Sequence, residues 1–268
     1  GAVAPRLAIG NCVMTGLAAP LRVRVVRERP SLSGPLRLTG LRCGAVTARD
    51  LAARVDVTLQ PALDQWRGQA VLESGALRHP VAATAALGGR LDFTGNAAAT
   101  SGQLDLTARG VTTQQGRADR VGIAGRYLVG QAMRFDGHVR MGGAQVAPAM
   151  LARLGGWGRA VAGTPVGPVA DAVLRAVERS GRGFAADLKL ALDREAGARA
   201  QGLSIRVPSL MLASNSGGRV ALGGGDGLIY DSRGIRIDTA LAMGGGGLPA
   251  IRATLKQAGP REPLRGTA

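Results

Sequence analysis

Residues 133–141 read MRFDGHVRM. Their apolar side chains stand at odd positions, namely Met133, Phe135, Val139 and Met141. Their charged and polar side chains stand at even positions, namely Arg134, Asp136, His138 and Arg140. Because successive side chains of a strand point to opposite faces, this alternation predicts a β-strand with one apolar and one polar face. What covers the apolar face is then the central question.

The same alternation recurs through most of the chain. It is found at 21–25, 36–38, 55–59, 66–72, 91–93, 104–106 and 121–129, and again at 184–192, 203–207, 235–238 and 251–255. Clusters typical of turns separate these segments, such as TGNAAATSGQ at 94–103. We predict a meander of short antiparallel strands whose spacing is irregular, unlike a fixed-period solenoid. The glycine runs 223–225 and 244–247 are predicted to be loops.

The composition favours a thin or open apolar surface. The chain has 268 residues, 46% of them hydrophobic, so it can bury a core. Aromatic residues make up only 3%, whereas large rings usually fill the space between packed sheets. There is no leader pattern at Gly1 and no apolar run of about 18 to 20 residues that could span a membrane. We interpret the sequence as a soluble piece of a longer or processed protein.

Residues 143–182 interrupt the strand pattern. Thr164 and Pro165 fit an N-cap and a first helical residue, and apolar residues from Val166 to Val177 follow helical spacing. We expect an amphipathic helix near 165–180 and a shorter helical piece near 148–154. The helix would pack on a sheet face or end, with direct membrane contact as the other interpretation. The predicted organisation is a β segment at 1–142, a helical insertion at 143–182 and a β segment at 183–268 that continues beyond this sequence.

The net charge of +16 comes almost entirely from arginine, since Lys189 and Lys256 are the only lysines. A nucleic-acid interface requires clustered basic residues with interleaved aromatics for stacking. Here the arginines are scattered over outward strand positions such as Arg22, Arg126 and Arg134. We therefore predict no nucleic-acid partner, whereas attraction to an anionic membrane surface remains compatible.

No catalytic or metal-binding constellation stands out. His79 and His138 are isolated, and the glycine runs lack the order of a phosphate-binding loop. The aspartates recur beside apolar strand positions, where they solvate the outer face, and no two of them form a nominated catalytic pair. The sequence therefore predicts a protein that is not an enzyme and has no metal or cofactor.

The two cysteines, Cys12 and Cys43, occupy similar glycine-flanked settings 31 residues apart. Neither lies in a C-x-x-C or paired-histidine context. Two buried free thiols and one disulfide both fit this pattern, and a disulfide would indicate an oxidising compartment.

Two long segments carry a family resemblance. GQLDLTARGVTTQQGRADRVGIAGRYLVG at 102–130 and RGFAADLKLALDREAGARAQGLSIRVPSLML at 182–212 resemble the AsmA-like proteins of the Gram-negative envelope. The phrase G-x-L-x-L-x-A-x-x-V, the early cysteine pair and T-P-x-G-P-V at 164–169 are most similar to the YdbH branch, relatives of TamB. The resemblance implies no catalytic residue.

The resemblance implies an elongated, curved antiparallel sheet whose hydrophobic groove carries phospholipid between the inner and outer membranes. It implies a periplasmic protein with an inner-membrane anchor outside this sequence and a partner protein in the periplasm or at the outer membrane. It also favours a disulfide between Cys12 and Cys43.

The residues expected to line such a groove come from the alternating segments in the middle of the chain. They are Leu104, Leu106, Val121, Ile123, Tyr127, Val129, Met133, Phe135, Val139, Met141, Phe184, Leu188, Leu190 and Ile205. Shielding an acyl chain from water is favourable by about 0.8 kcal/mol per methylene, so a carrier needs apolar lining and little directional chemistry. The alternative is a structural or adhesive envelope β-protein, a solenoid or sandwich with a dry core and no lipid ligand.

Overall fold

The computed structural model of the protein describes residues 2–149, 152, 183–194, 202–215, 217–232, 234–245, 248–257 and 265–267. Strands account for 84% of these residues. The prediction of a mainly β chain is therefore confirmed for them. The chain divides into two compact units. The first unit is Gly1–Thr113 with Gly122–Met133, and the second is Gln114–Val121 with Arg134–Ala268.

Up to Val146 the described strands follow one another with short connections. In the first unit they are β1 (Ala2–Ile9), β2 (Cys12–Ala19), β3 (Arg22–Val26), β4 (Arg29–Cys43), β5 (Val46–Leu59), β6 (Gln65–Ser74), β7 (Leu77–His79), β8 (Ala82–Thr84), β9 (Ala86–Asn96) and β10 (Ala99–Thr113). Two strands contribute residues to both units, β11 (Gly116–Gly130) and β12 (Met133–Val146). The second unit continues with β13 (Phe184–Arg194), β14 (Leu203–Ser214), β15 (Arg219–Asp231), β16 (Gly234–Gly245), β17 (Leu248–Gln257) and β18 (Arg265–Thr267).

Several of the short strands are halves of longer ones. β2 and β3 both pair with β4 in a single antiparallel register, from Cys12 opposite Cys43 to Val26 opposite Arg29. In the same way, β6 and β7 share one register against β5, and β9 and β8 share one against β10. Residues 12–26, 65–79 and 82–96 therefore each occupy one long strand position.

Six strand segments close a ring of pairings in the order β5, β6, β9, β10, β8, β7. β4 already runs along one edge of β5, from Val46 to Thr58. Both β6 and β7 must then lie on the other edge, because a strand has only two edges for hydrogen bonding. The ring is thus a meander of four long strands in which the two middle ones are interrupted.

The long strand positions of the first unit are regularly spaced. They begin at residues 12, 29, 46, 65, 82 and 99, which gives intervals of 17 residues except for one of 19. Most connections contain only two residues, and Gly10, Arg27, Glu28 and Gly44 take the positive φ that tight hairpin turns require. The predicted irregular spacing is wrong here. In the sequence, the residues that interrupt the long strands look like additional turns, so each long strand looks like two short ones.

These interruptions form a line across the sheet that we call the bulge row, at 15–16, 39–40, 49–50, 75–76, Ala85 and 109–110. Pairing skips residues at each of these places, and Gly16, Asp50 and Gly110 have φ of 60°, 52° and 59°. In β4 the apolar positions are even up to Leu38 and odd from Leu41. Because a bulge adds a residue to the strand, the parity of the apolar positions changes while they stay on one face.

The second unit has shifts of register in place of such a row. One lies between Val207 and Leu210 in the pairing of β14 with β15, and another between Gly223 and Gly227 in the pairing of β15 with β16. The glycine run 223–225 is therefore part of β15, and its predicted loop is wrong. Gly224 and Gly225 take φ of 82° and 60°, a conformation that favours glycine within a bulged strand. Gly244 and Gly245 end β16, and 246–247 lie outside the described residues.

Of the helical insertion expected at 143–182, the described residues 148, 149 and 152 are helical, and no longer helix is found in the part of the chain that the structure describes. The first residues of the expected insertion, 143–146, belong to β12, where Gly143 has a φ of 63° and the apolar positions change from odd at Met141 to even at Ala144 and Val146, as at a bulge. The amphipathic segment 165–180 lies outside the described residues, as does most of 148–154.

Substituting Gly68 by alanine tests the close approach of neighbouring strands. Gly68 and Gly102 flank Phe93 directly across the sheet. A Cβ at Gly68 would clash with the Asp56 carbonyl oxygen and lie 3.0 Å from Phe93 Cζ. We expect Gly68→Ala to lower the free energy of unfolding by about 1–3 kcal/mol in chemical denaturation. Gly88→Ala is the matched control, since its nearest contact would be an ordinary 3.5 Å; equal effects of the two substitutions would contradict the packing described.

Candidate functional site

Three cross-strand ladders form one apolar face on β4, β5, β6, β9 and β10. The first ladder is Leu32, Val57, Gly68, Phe93 and Gly102, the second is Gly34, Val55, Ala70, Leu91 and Leu104, and the third is Leu36, Ala53, Leu72, Gly89 and Leu106. Directly paired residues share a face, so these side chains make a continuous surface. We call it the first apolar face.

The first apolar face is only half-covered. All the apolar side chains in its three ladders are half-buried, and none is fully buried. Among the described residues only ten apolar side chains are buried, and six of them are alanines. The middle of a packed sandwich would bury its large aliphatic side chains completely. The first apolar face therefore remains accessible from outside.

The opposite face of the same strands is polar. Asp56, Gln69, Asp92 and Gln103 form a ladder on it, and all are exposed. Arg90 Nη2 donates to Gln69 Oε1 at 2.7 Å, and Arg90 Nε lies 3.3 Å from Asp92 Oδ1. Cavities of about 470 and 550 Å³ open mainly on this polar side. A ligand of the first apolar face would therefore lie on an open surface and not in these cavities.

The second unit has its own apolar ladder, from Leu188 through Leu210, Leu222 and Leu241 to Ala253. Leu241 and Ala253 are buried there, as are Ala186 and Met243 in the neighbouring row, whereas Leu188, Leu210 and Leu222 are half-buried. This surface is thus more covered than the first apolar face.

The polar positions of MRFDGHVRM make charged contacts with β13. Arg140 Nε donates to Asp187 Oδ2 at 3.1 Å, and Arg134 Nε lies 3.2 Å from Asp193 Oδ2. His138 Nδ1 lies 3.7 Å from Asp187 Oδ1. These groups are about half exposed, so each pair contributes little stability, and they lie on the face of β12 that meets solvent.

The predicted lining residues fall into separate groups. In the first unit, Leu104 and Leu106 belong to the first apolar face, Ile123 and Tyr127 are half-buried on β11, and Val129 and Met133 are exposed. In the second unit, Leu188 lies opposite Leu210, Ile205 opposite Leu192, and Phe184 opposite Ser214. The remaining members are half-buried, namely Val121, Phe135, Val139, Met141 and Leu190.

The predicted set omitted the centre of the first apolar face. Leu36, Val55, Leu72, Leu91 and Phe93 are the missing members. Their signal was present, because 55–59, 66–72 and 91–93 alternate in the same way as MRFDGHVRM. Only the pairing register identifies them as neighbours of Leu104 and Leu106.

Cys12 and Cys43 form a disulfide with an S–S distance of 2.07 Å. They are directly opposite each other in the pairing of β2 with β4. The bond ties the two long strands together at the end farthest from the hairpin turn at Arg27 and Glu28. This is the pairing that the resemblance favours.

The described residues assemble no group of three or more His, Cys, Asp or Glu side chains that could hold a metal ion. His79 Nδ1 accepts a hydrogen bond from Val81 N at 3.4 Å, which is a local turn contact. None of the helical residues in the described ranges forms a helix long and apolar enough to span a membrane.

Comparison of the chain with protein-family models, with curated proteins and with solved structures gives no match.

Tyr127 provides a pH-dependent test of local burial on β11. Its hydroxyl lies 3.3 Å from the Asp92 carbonyl oxygen, to which it donates. Burial, and secondarily the negative charge of Asp92, raises the pKa of the Tyr127 phenol above 10.0. The neutral phenol therefore stabilises the fold below about pH 10, and this stability is lost as the pH rises through the folded-state pKa.

We expect the free energy of unfolding to fall more steeply with rising pH above about pH 10 for wild type than for Tyr127→Phe, because the variant has no phenol to ionise at this position. Tyr230→Phe is the control, because Tyr230 is 52% exposed. Parallel pH profiles for wild type and Tyr127→Phe would contradict this account of Tyr127.

Proposed function

We propose that this chain is a segment of a periplasmic bridge-like lipid-transfer protein that shields phospholipid acyl chains between the inner and outer membranes. The observation that carries the proposal is the first apolar face, whose three ladders are continuous across five strands and whose apolar side chains are only partly buried. A contiguous apolar surface that stays partly exposed often marks a binding site. Phospholipid acyl chains are the proposed occupant.

The dimensions of the first apolar face suit an acyl chain. Neighbouring strands lie about 4.8 Å apart, so β4 to β10 present a strip roughly 19 Å wide. Each methylene removed from water contributes about 0.8 kcal/mol, which a smooth aliphatic surface supplies without specific hydrogen bonds. Leucine, valine, alanine and glycine make such a surface and leave room for chains of varied length.

A curved groove is part of the proposal. Bulged strands bend and twist more strongly than regular ones, and the bulge row repeats this bend at the same level of successive strands. Such a repeated bend would curl the sheet around the acyl chains. The elongated groove of the AsmA-like proteins, YdbH branch, has the same character, and membership of that family is proposed here.

The proposed compartment is the periplasm. The Cys12–Cys43 bond supports it, because disulfides persist in oxidising compartments. An inner-membrane anchor outside this sequence and a partner protein in the periplasm or at the outer membrane complete the proposal. No catalytic step is required, since the protein would lower the cost of exposing lipid to water.

One observation favours a second candidate, a structural or adhesive envelope β-protein with a dry core. In the second unit Ala186, Leu241, Met243 and Ala253 are buried, as in a filled core. If the first apolar face were covered in the same way in the cell, no lipid would reach it.

Photo-crosslinking distinguishes the two candidates. A benzophenone amino acid placed at Leu72 or Leu91 on the first apolar face is expected to form a lipid adduct in cells, detected by mass spectrometry of the purified chain. The matched controls are Gln69 and Asp92, neighbouring positions on the polar face of the same strands. Adducts at Leu72 and Leu91 but not at the controls support lipid transfer. Absence of lipid at all four positions, or equal yields on both faces, would refute it.

A further inference from the structure

Four arginines from four strands line one cavity of about 680 Å³ in the first unit. They are Arg6 on β1, Arg42 on β4, Arg49 on β5 and Arg78 on β7. The cavity lies at the bulge row, beyond the three ladders of the first apolar face. Three threonines also line it, Thr15, Thr39 and Thr47.

The strand register brings these arginines to one side of the sheet. Thr47 pairs with Arg42 on one edge of β5 and with Arg78 on the other. Arg6 pairs with Thr15, and Thr15 pairs in turn with Gly40. Gly40 pairs with Arg49, so one row of paired residues leads from Arg6 to Arg49. Strands are about 4.8 Å apart, so Arg42 and Arg78 start roughly 10 Å from each other, and long guanidinium side chains can turn toward a common point.

The bulge row gives this place a fixed backbone. Thr39 Oγ1 donates to the Thr15 carbonyl oxygen at 3.1 Å, and Thr15 Oγ1 donates to the Gly40 carbonyl oxygen at 3.3 Å. Arg49 N donates to the Ala76 carbonyl oxygen at 3.1 Å. These bonds tie β4 to β2, and β5 to the segment between β6 and β7, where the cavity opens.

The positive charge in the cavity is uncompensated. No carboxylate is among the residues that line it, and none of the four arginines has an ion pair with a described residue. Like charges on neighbouring strands repel and lower stability. An anion bound between these four arginines would remove this repulsion. Most other arginines of the chain avoid such repulsion because they are scattered.

We propose that this cavity binds a phosphate group. Guanidinium groups bind phosphate oxygens with two parallel hydrogen bonds, and the Thr47 hydroxyl stands between two of them as a further donor. The phosphate can belong to a phospholipid headgroup or to a soluble phosphate compound. Because the cavity lies apart from the first apolar face, the proposal does not depend on lipid transfer and can fail or succeed separately.

The test compares the full chain with Arg42→Gln/Arg78→Gln. Calorimetric titration at constant ionic strength uses inorganic phosphate and glycerol 3-phosphate, and flotation uses phosphatidylcholine vesicles with and without phosphatidylglycerol. We expect saturable phosphate binding by wild type that is weakened at least about tenfold in the double variant, since charge-assisted bonds to two arginines are lost. Arg126→Gln is the control, because it removes one exposed charge outside the cavity.

The double variant is expected to fold at least as stably as wild type without phosphate, because it removes repulsion; circular dichroism checks this. Arg42→Lys keeps the charge but lacks the planar fork, so it should bind with intermediate affinity. If wild type binds phosphatidylglycerol vesicles and the double variant does not, the phosphate belongs to a lipid headgroup. If wild type binds only the soluble phosphates, the phosphate belongs to a soluble compound. Absence of saturable binding in both arms, or equal loss in Arg126→Gln and the double variant, would overturn the proposal.

Discussion

The antiparallel register of the first unit is the constraint on which the rest of the structure depends. Six long strand positions keep one register through their interruptions, as between β5 and both β6 and β7. A slip of one residue would move every side chain of a strand to the other face. Short turns, most of them of two residues, set this register, and the bulge row preserves the face of the apolar side chains where their parity changes.

The first apolar face follows from this register. Leu91 and Leu104 become neighbours because β9 and β10 pair without a shift, and Phe93 lies between two glycines that leave space for its ring. With few aromatics in the chain, the face consists mainly of aliphatic and small residues. Its side chains are half-buried, whereas Leu241 and Met243 of the second unit are buried. A partly exposed aliphatic surface is what a lipid chain would recognise, whereas a directional ligand would need convergent polar groups.

The sequence predicted the strand character of the chain much better than its architecture. MRFDGHVRM lies in β12, Met133–Val146, because alternation is a direct consequence of strand geometry. Regular spacing was missed because Gly75 and Ala76, within a long strand position, read as a turn between two strands. The run 223–225 was assigned to a loop because glycine is common in loops, yet there it occupies a bulge in β15.

The sequence predicted only the residues of the first apolar face that lie on β10, at one edge of that face. Leu104 and Leu106 were identified, but Leu36, Val55 and Leu72 were not, because alternation gives the face of a strand and not its neighbours. The same limit applies to the arginine cavity, since Arg6 and Arg78 are far apart in sequence and converge only through the order of pairing. The four arginines of the cavity are therefore clustered in space although they are far apart along the chain.

Native mass spectrometry of the purified full chain weighs whatever occupies the first apolar face. We expect a species heavier than the polypeptide by the mass of phospholipid, which organic extraction removes and which Leu72→Asp/Leu91→Asp no longer retains. The control Gln69→Asp/Gln103→Asp changes the polar face and should keep the bound lipid. A chain that carries no phospholipid, or retains it equally in both double variants, would contradict the account.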